Sequence, residues 1–267
     1  MSMQSSVEGL LAGKVGLVLG VAHKSSLAWA IAQSLHQSGM RLALTYQSER
    51  QERNARKLVE GLEGGESVLL LPCDVTSDQQ MDQVFARVQE EAGRLDTLVH
   101  SIAFAQREDL SGGFSETSRE GFSLSQEISA YSLIALVRRA VPLFEEAGGG
   151  SVITLTYLGG ERVVDNYNMM GISKASLDMC VRYLAAELGA KNIRVNAISA
   201  GPVKTLSARG VSGFTSILGV MAEKAPMRRN IEASEVGATA LYLASPLSSG
   251  MTGEVLHVDA GYHILGN

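Results

Sequence analysis

The sequence predicts an α/β protein, a doubly wound parallel sheet of about seven strands with helices on both faces, and three observations predict it. Short apolar runs recur along the chain, each followed by a stretch with the 3.6-residue period of a helix. The runs are apolar throughout rather than alternating, the pattern of strands covered on both faces. The alternation continues from Lys14 to Val258 with no internal repeat and no linker. Strands separated by helices need right-handed crossovers, which make the sheet parallel. At 267 residues the chain has the length of two average domains. Open α/β folds reach this size as one, so a single domain over residues 1–267 is expected.

Lys14 to Gly20 reads as the first strand. Ser26 to Ser38 is a helix with Leu27, Ala30, Ile31 and Leu35 on one face, ended by Gly39. Arg41 to Tyr46 is strand two and Glu49 to Leu62 the next helix. Ser67 to Cys73 is strand three, Asp78 to Gly93 a helix, and Thr97 to Ile102 strand four. A long helical stretch, Arg119 to Glu146, precedes Ser151 to Leu155 as strand five. Tyr167 to Leu188 is helical, Ile193 to Ile198 is strand six and Glu254 to Val258 the seventh.

Hydrophobic residues make up 45% of the chain and charged residues 19%, the balance of an ordinary globule with material for a large core. A net charge of -5 argues against a nucleic-acid surface. Cys73 and Cys180 sit in apolar stretches and read as reduced core thiols rather than a disulfide framework. Residues 1–13 lack the basic and apolar regions of a secretory signal, and no run approaches the roughly 18 apolar residues of a membrane span. A cytoplasmic protein without membrane contact is expected. No His/Cys/Asp cluster has metal-ligand spacing, so no metal is expected.

In doubly wound sheets ligands bind beyond the carboxyl ends of the strands. Gly20, Gln47, Asp74, Ile102, Tyr157 and Gly201 all fall there, so six strand ends converge on one cleft. The chemistry-bearing stretch runs from Leu155 to Lys174: a strand delivers Tyr157, and Tyr167 and Lys174 follow at the mouth of a helix. Seven residues apart, or about 700° of helix, they would lie within about 20° of one face if both are helical. A phenol hydroxyl can donate to an oxygen gaining negative charge, and a nearby lysine can hold a hydroxylated ligand and lower the phenol's pKa. The plainer alternative is a half-buried tyrosine and a solvated lysine.

The turn after strand one, Gly20-Val-Ala-His-Lys-Ser25-Ser26-Leu27-Ala28, has only one glycine of the usual dinucleotide fingerprint. Gly20 can still make the tight turn, and Ser25 or Ser26 can cap a helix whose free N–H groups face a pyrophosphate. Strand two ends Thr45-Tyr46-Gln47 without the acidic residue that would grip an NAD ribose, which leaves the choice of nicotinamide open, with NADH favoured. Arg50, Arg53 and Arg56 could meet a 2′-phosphate, but pairing with Glu49 and Glu52 on a solvated helix face is the commoner arrangement.

These residues carry a resemblance. Gly20-Val-Ala…Ser26, Thr45-Tyr-Gln47, Cys73-Asp-Val75, His100-Ser-Ile-Ala-Phe-Ala105, Tyr157-Leu-Gly, Tyr167-Asn-x-Met-Gly…Lys174 and Arg194-Val-Asn-Ala-Ile-Ser-Ala-Gly-Pro-Val-Lys-Thr205 closely resemble the bacterial NADH-dependent enoyl-acyl-carrier-protein reductases. The similarity runs from about Leu11 to Ile264. That family belongs to the short-chain dehydrogenase/reductase superfamily and has a Rossmann-type fold. Ordinary members of the superfamily place the catalytic tyrosine four residues before the lysine. Here that position is Met170, and the Tyr-x6-Lys spacing is the one enoyl reductases carry.

The resemblance implies reduction of the trans-2 double bond of enoyl-acyl-carrier-protein thioesters in type II fatty acid synthesis, with Tyr167 stabilising the enolate and Tyr157 helping to position it. It implies that Gly20, Ser26 and Leu27 line the pyrophosphate turn, Gln47 lies near the adenosine ribose, and Asp74 and Val75 flank the adenine. Ile102 would border the nicotinamide ribose, Lys174 would hold its hydroxyls, and Val203, Lys204, Thr205, Leu206 and Ser207 would meet the carboxamide and phosphates. Ala105 would touch the acyl substrate. A lid at about 204–228, rich in glycine and apolar residues, would fold over the acyl chain. Around it Lys204, Arg209, Lys224, Arg228 and Arg229 would steer the acidic carrier. A homotetramer is also implied, with the helices near 119–146 and after Tyr167 offering packing faces. Two alternatives stay open: another superfamily reductase acting on a carbonyl, and a non-catalytic dinucleotide sensor. His100 and His257, in strand-like runs, read as structural.

Overall fold

Successive residues of a strand point to opposite faces of the sheet, and in this chain both sets are apolar, so burial draws helices onto each side. In a computed structural model describing residues 9–203 and 214–266, the strands are β1 (Val15–Leu19), β2 (Arg41–Tyr46), β3 (Leu69–Pro72), β4 (Thr97–His100), β5 (Gly150–Thr156), β6 (Ile193–Ala200) and β7 (Val255–Val258). Between them run α1 (Leu27–Gln37), α2 (Glu49–Glu60), α3 (Asp78–Ala92), α4 (Arg119–Gln126), α5 (Ser132–Glu146), α6 (Asn168–Leu188), α7 (Phe214–Lys224) and α8 (Ala233–Ala244). The sheet order is β3-β2-β1-β4-β5-β6-β7, with every pairing parallel. The winding direction reverses between β1 and β4, the place where such sheets open a crevice for a ligand.

The two faces make two cores. Leu17, Leu19, Leu98, Val152 and Val195 pack with α3, α5 and α6. Their sequence neighbours Val18, Val99 and Ile153, with Ile198, pack with α1 and α8. Each such side chain stabilises the fold by about 1.5–3 kcal/mol when fully buried. On the second face α1 and α8 cross closely: a Cβ on Gly237 would lie 2.4 Å from Ser34 Oγ.

Four helices start the same way. Ser26, Ser48, Ser77 and Ser118 each accept a backbone N–H of the first turn, those of Trp29, Gln51, Gln80 and Gly121. A cap of this kind is worth about 1 kcal/mol.

Three elements and one thiol differ from expectation. The stretch from Arg119 to Glu146 is not one regular helix, because a π turn at Glu127–Tyr131 separates α4 from α5. From this segment the buried Ser125 and Ser129 bond Phe104 in the loop after β4, and the buried Ser132 bonds His100 at the end of β4. Strand three is shorter because Gly64, at φ 71°, opens a 3₁₀ turn over Gly65–Ser67. Helix α6 begins at Asn168, and Tyr167, at φ -123°, precedes it, so helical spacing is not what brings Tyr167 to Lys174. Cys73 is buried as expected, whereas Cys180 is only partly covered; both are free thiols. Among the described residues no helix is long and apolar enough to cross a membrane.

Candidate active site

The carboxyl ends of β1 to β6 open into one cavity of about 630 Å³. At its β1 end the backbone turns at Gly20 with φ 95°, and a Cβ there would stand 2.1 Å from the Ser101 carbonyl oxygen. Only glycine fits this approach. Ser26, not Ser25, caps α1: its hydroxyl donates to the His23 carbonyl at 2.7 Å and accepts from Trp29 N–H, while Ser25 bonds the His23 ring at 3.1 Å. Ser26 and Leu27 line the cavity where the first turn of α1 faces it.

Beyond β2 and β3 the polar groups satisfy one another. The Gln47 amide donates to Asp74 Oδ2 at 3.1 Å, and Asp74 Oδ1 accepts the Thr76 N–H and hydroxyl at 2.9 and 2.7 Å. Burial raises the Asp74 carboxyl, but the Thr76 and Gln47 bonds outweigh it and hold the group below its ordinary value. Val75 lines the wall beside it. Arg56 pairs with Glu52 at 2.7 Å and Arg53 approaches Glu49 at 3.9 Å, the arrangement of a solvated helix face, and Arg50 is exposed.

The other end is built from buried groups. β5 delivers Thr156 and Tyr157, and a 3₁₀ turn at Leu158–Gly160 leads back toward Tyr167. The Tyr157 and Tyr167 rings meet edge to face, centroids 5.0 Å apart at 72°. Gly159 makes the room: a Cβ there would stand 2.5 Å from Tyr167 Cδ1. Lys174, 5% exposed, donates from Nζ to the Leu155 carbonyl at 2.7 Å, which leaves two of the ammonium's three donors for a ligand in the cavity. Burial lowers its pKa to about 8, with Asp178 opposing the shift.

The phenols go the other way. Burial pushes Tyr157 up to about 12, helped by Tyr262 and Asp259. Burial raises Tyr167 further still, with Tyr157 and Asp178 adding to it. The expectation that Lys174 lowers the Tyr167 pKa is therefore corrected: desolvation dominates, and the group is a neutral hydroxyl, a donor rather than a base.

Opposite these tyrosines runs the loop after β4, with Ile102 and Ala105 on the cavity wall. Ser129 clamps it by accepting the Phe104 N–H at 2.9 Å and donating to the Phe104 carbonyl at 3.0 Å, and Ser125 donates to the same carbonyl and bonds Ser173 at 2.8 Å. His100 lies behind, fully buried between Thr154 Oγ1 and Ser132 Oγ, and burial with the Lys174 charge lowers its pKa to about 3. His257 bonds Glu161 at 3.0 Å and stacks on His263, tying the loop before Tyr167 to β7. Neither imidazole lines the cavity.

Every sequence-predicted site residue within the described chain lines this cavity, from Gly20 to Val203. Lys204, Thr205, Leu206 and Ser207 lie outside the described residues, as does the lid up to residue 213. Sequence reasoning missed Thr156, Gly159, Ser129 and Asp178. The pair Gly159-Gly160 after a strand-end tyrosine was the one local signal of close backbone approach. A cavity with a glycine turn and a helix N-terminus at one end, and a neutral phenol and a buried ammonium on its wall at the other, can hold a dinucleotide and stabilise an anion formed there.

Comparison with known proteins gives the family. Residues 20–263 match the family model described as enoyl-(acyl carrier protein) reductase. The enoyl-[acyl-carrier-protein] reductase [NADH] FabI of Bacillus cereus is 56% identical over 257 residues, covering 96% of this chain and 99% of the relative. The [NADPH] FabI of a Staphylococcus aureus strain is 51% identical, covering 96% and 98%. The crystal structure of the Bacillus cereus reductase with NADP+ and indole naphthyridinone superposes with a TM-score of 0.94 at 55% identity, covering 97% of this chain and 99% of that one. On sequence and fold together, this chain belongs to the enoyl-(acyl carrier protein) reductase family.

Proposed function

We propose that this chain reduces the trans-2 double bond of enoyl thioesters carried by acyl carrier protein, with NADH as reductant, in fatty acid elongation. The observation that carries the reading is the buried, neutral Tyr167 phenol lining the same cavity as the buried Lys174 ammonium, with no space for a Cβ at Gly20 at the far end. The residues fit the cofactor. Gly20, Ser26 and Leu27 would take the pyrophosphate, Gln47 the adenosine ribose, Asp74 and Val75 the adenine, and Ile102, Lys174 and Val203 the nicotinamide end. When bound there, reduced nicotinamide would supply the hydride that the β-carbon of the enoyl group receives.

Negative charge then gathers on the thioester oxygen, the Tyr167 O–H donates to it, and a proton taken up at the α-carbon from solvent or a tyrosine completes the saturated thioester. One preorganised donor of this kind lowers a barrier by about 3–4 kcal/mol. Tyr157 holds the Tyr167 ring by its edge contact, and the serine-clamped loop sets Ala105 against the acyl chain. Met170, in the position where carbonyl reductases of the superfamily carry tyrosine, has no proton to give, which disfavours the ketone-reductase alternative. The relatives are named for both nicotinamides. NADH is retained for this chain because Arg53 and Arg56 are engaged with glutamates.

The lid reading, residues 204–228, extends into α7, whose Leu218 and Met221 are buried. Carrier steering falls to Lys224 and Arg228, exposed near α7, because Arg229 is held by Glu235 through two bonds of 2.8 Å. A homotetramer is supported by an apolar stripe on α6, Ile172, Met179 and Tyr183, left exposed beside Phe122 and Tyr131. We take the chain as one domain working in the cytoplasm.

The test is NADH oxidation followed by absorbance with crotonyl and acetoacetyl thioesters, each run with NADH and with NADPH. Turnover of the crotonyl thioester with NADH is expected. Turnover of the acetoacetyl thioester alone would overturn the reading.

A further inference from the structure

Asp178 lies one turn beyond Lys174 on α6, and no step above uses it. Its carboxylate is only 6% exposed. Oδ2 packs against the turn before Tyr167, where a Cβ on Gly160 would lie 3.0 Å from it. Oδ1 makes no hydrogen bond of ordinary geometry, and the buried Thr156 hydroxyl, which faces the carboxylate at the end of β5 and lowers its pKa, makes none either. Lys174 directs its own bond to the Leu155 carbonyl. A buried cation and a buried anion thus sit one helical turn apart, the cation on the cavity wall and the anion behind it.

We propose that Asp178 is a positioning residue for the reduction: its charge, set behind Lys174 and steadied by Thr156, keeps the ammonium protonated and able to hold the ribose hydroxyls of the nicotinamide cofactor. This rests on the reductase reading given above. The electrostatics point the same way. Burial pulls Lys174 down to about 8, and Asp178 is the one charge that raises it. For Asp178, burial raises the pKa, while Thr156 and then Lys174 lower it.

The other groups facing the pair do not replace this effect. His100 of β4 is neutral behind Lys174. Glu161, in the loop from β5 to α6, raises Asp178 and is itself bonded to His257 of β7, while Arg182, one turn further along α6, lowers it. Tyr167 is a neutral phenol that Asp178 helps to keep protonated.

The sign follows directly. Lys174 is a base whose pKa is depressed in the folded protein, so a ligand that needs its charge binds below that pKa and weakens as pH rises through it. Removing Asp178 depresses the pKa further, and the weakening begins at lower pH.

The experiment measures NADH affinity by nicotinamide fluorescence from neutral to alkaline pH. The unmodified chain loses affinity as pH rises through about 8. In Asp178→Asn the midpoint moves toward acid by about one unit, the size of a lost neighbouring charge, and Asp178→Glu restores it. A purely structural role would weaken binding alike at every pH. A folded Asp178→Asn chain whose midpoint matches the original overturns the proposal. Should that variant not fold, Asp178→Ser serves: it removes the same charge with a smaller neutral side chain and moves the midpoint the same way by about one unit, and an unmoved midpoint overturns the proposal equally. Failure of the reductase reading would look different, as an intact alkaline limb in NADH binding with no turnover of any enoyl thioester.

Discussion

At the β1 to β3 end of the cavity the polar side chains are exposed or half-buried and bond one another, Gln47 to Asp74 and Asp74 to Thr76, and the tightest constraint is a backbone approach at Gly20. At the β4 to β6 end the titratable groups are buried, and their pKa values are displaced in the directions burial dictates, Lys174 down and Tyr157 and Tyr167 up. The first end is suited to recognising a large polar ligand, for which shape and hydrogen-bond satisfaction suffice. The second is suited to chemistry, because a hydrogen bond to a developing charge is worth more where water is excluded. One sheet supplies both, since its strands deliver short loops at one end and buried side chains at the other.

Substitutions at the two ends should therefore fail differently. Lys174→Ala acts on both functions and should have the largest effect, a loss in kcat/KM of about 10³ or more with a measurable rise in NADH Kd. If Kd stayed unchanged, Lys174 would belong to the chemistry alone. Gly20→Ala should raise the NADH Kd by about 10²-fold, because the Cβ must push the Ser101 carbonyl away and a displacement of about 1 Å is costly in a preorganised site. It should leave the alkaline limb of binding in place, which fluorescence titration at several pH values would check.

Charge outside the cavity should matter less. Arg228→Glu is expected to raise KM for a carrier-bound enoyl thioester by about two- to fivefold and to leave the coenzyme A thioester unaffected. Equal effects on both substrates would reject steering.

The smallest effect concerns stability. Arg229 holds the Glu235 carboxyl down to about 2, with the Glu232 N–H assisting. A carboxyl depressed on folding contributes stability above its unfolded value, and the contribution disappears as pH falls toward 2. Glu235→Gln should therefore cost about 1 kcal/mol or less at neutral pH, since the pair is partly solvated, and nothing near pH 2. Denaturant titration at both pH values would show it.

The strands were legible because all seven are apolar runs bounded by glycine, polar or charged residues, and a serine cap on α1 because a hydroxyl before an N–H row has a clear chemical reason, although the sequence left Ser25 and Ser26 equal. The first residue of α6 was not, because Tyr167 precedes it without a capping side chain. The π turn was hidden because one added residue in a helical pattern looks like a small drift of its apolar face. In the site, residues at strand ends were readable from topology alone, whereas Asp178, Thr156 and Ser129 matter through partners dozens of residues away or across a helix turn, which no local pattern encodes. The raised pKa of Tyr167 was misjudged for a related reason. Sequence shows a lysine seven residues on but not the burial that outweighs it.

The most direct test of a chemistry end distinct from a recognition end is Tyr167→Phe, assayed for NADH affinity and enoyl-thioester turnover in one preparation. The account predicts that NADH Kd stays within about twofold while kcat falls by about 10²- to 10³-fold, the loss of one donor to the enolate oxygen. A variant that binds NADH normally and reduces the double bond at the original rate would contradict it.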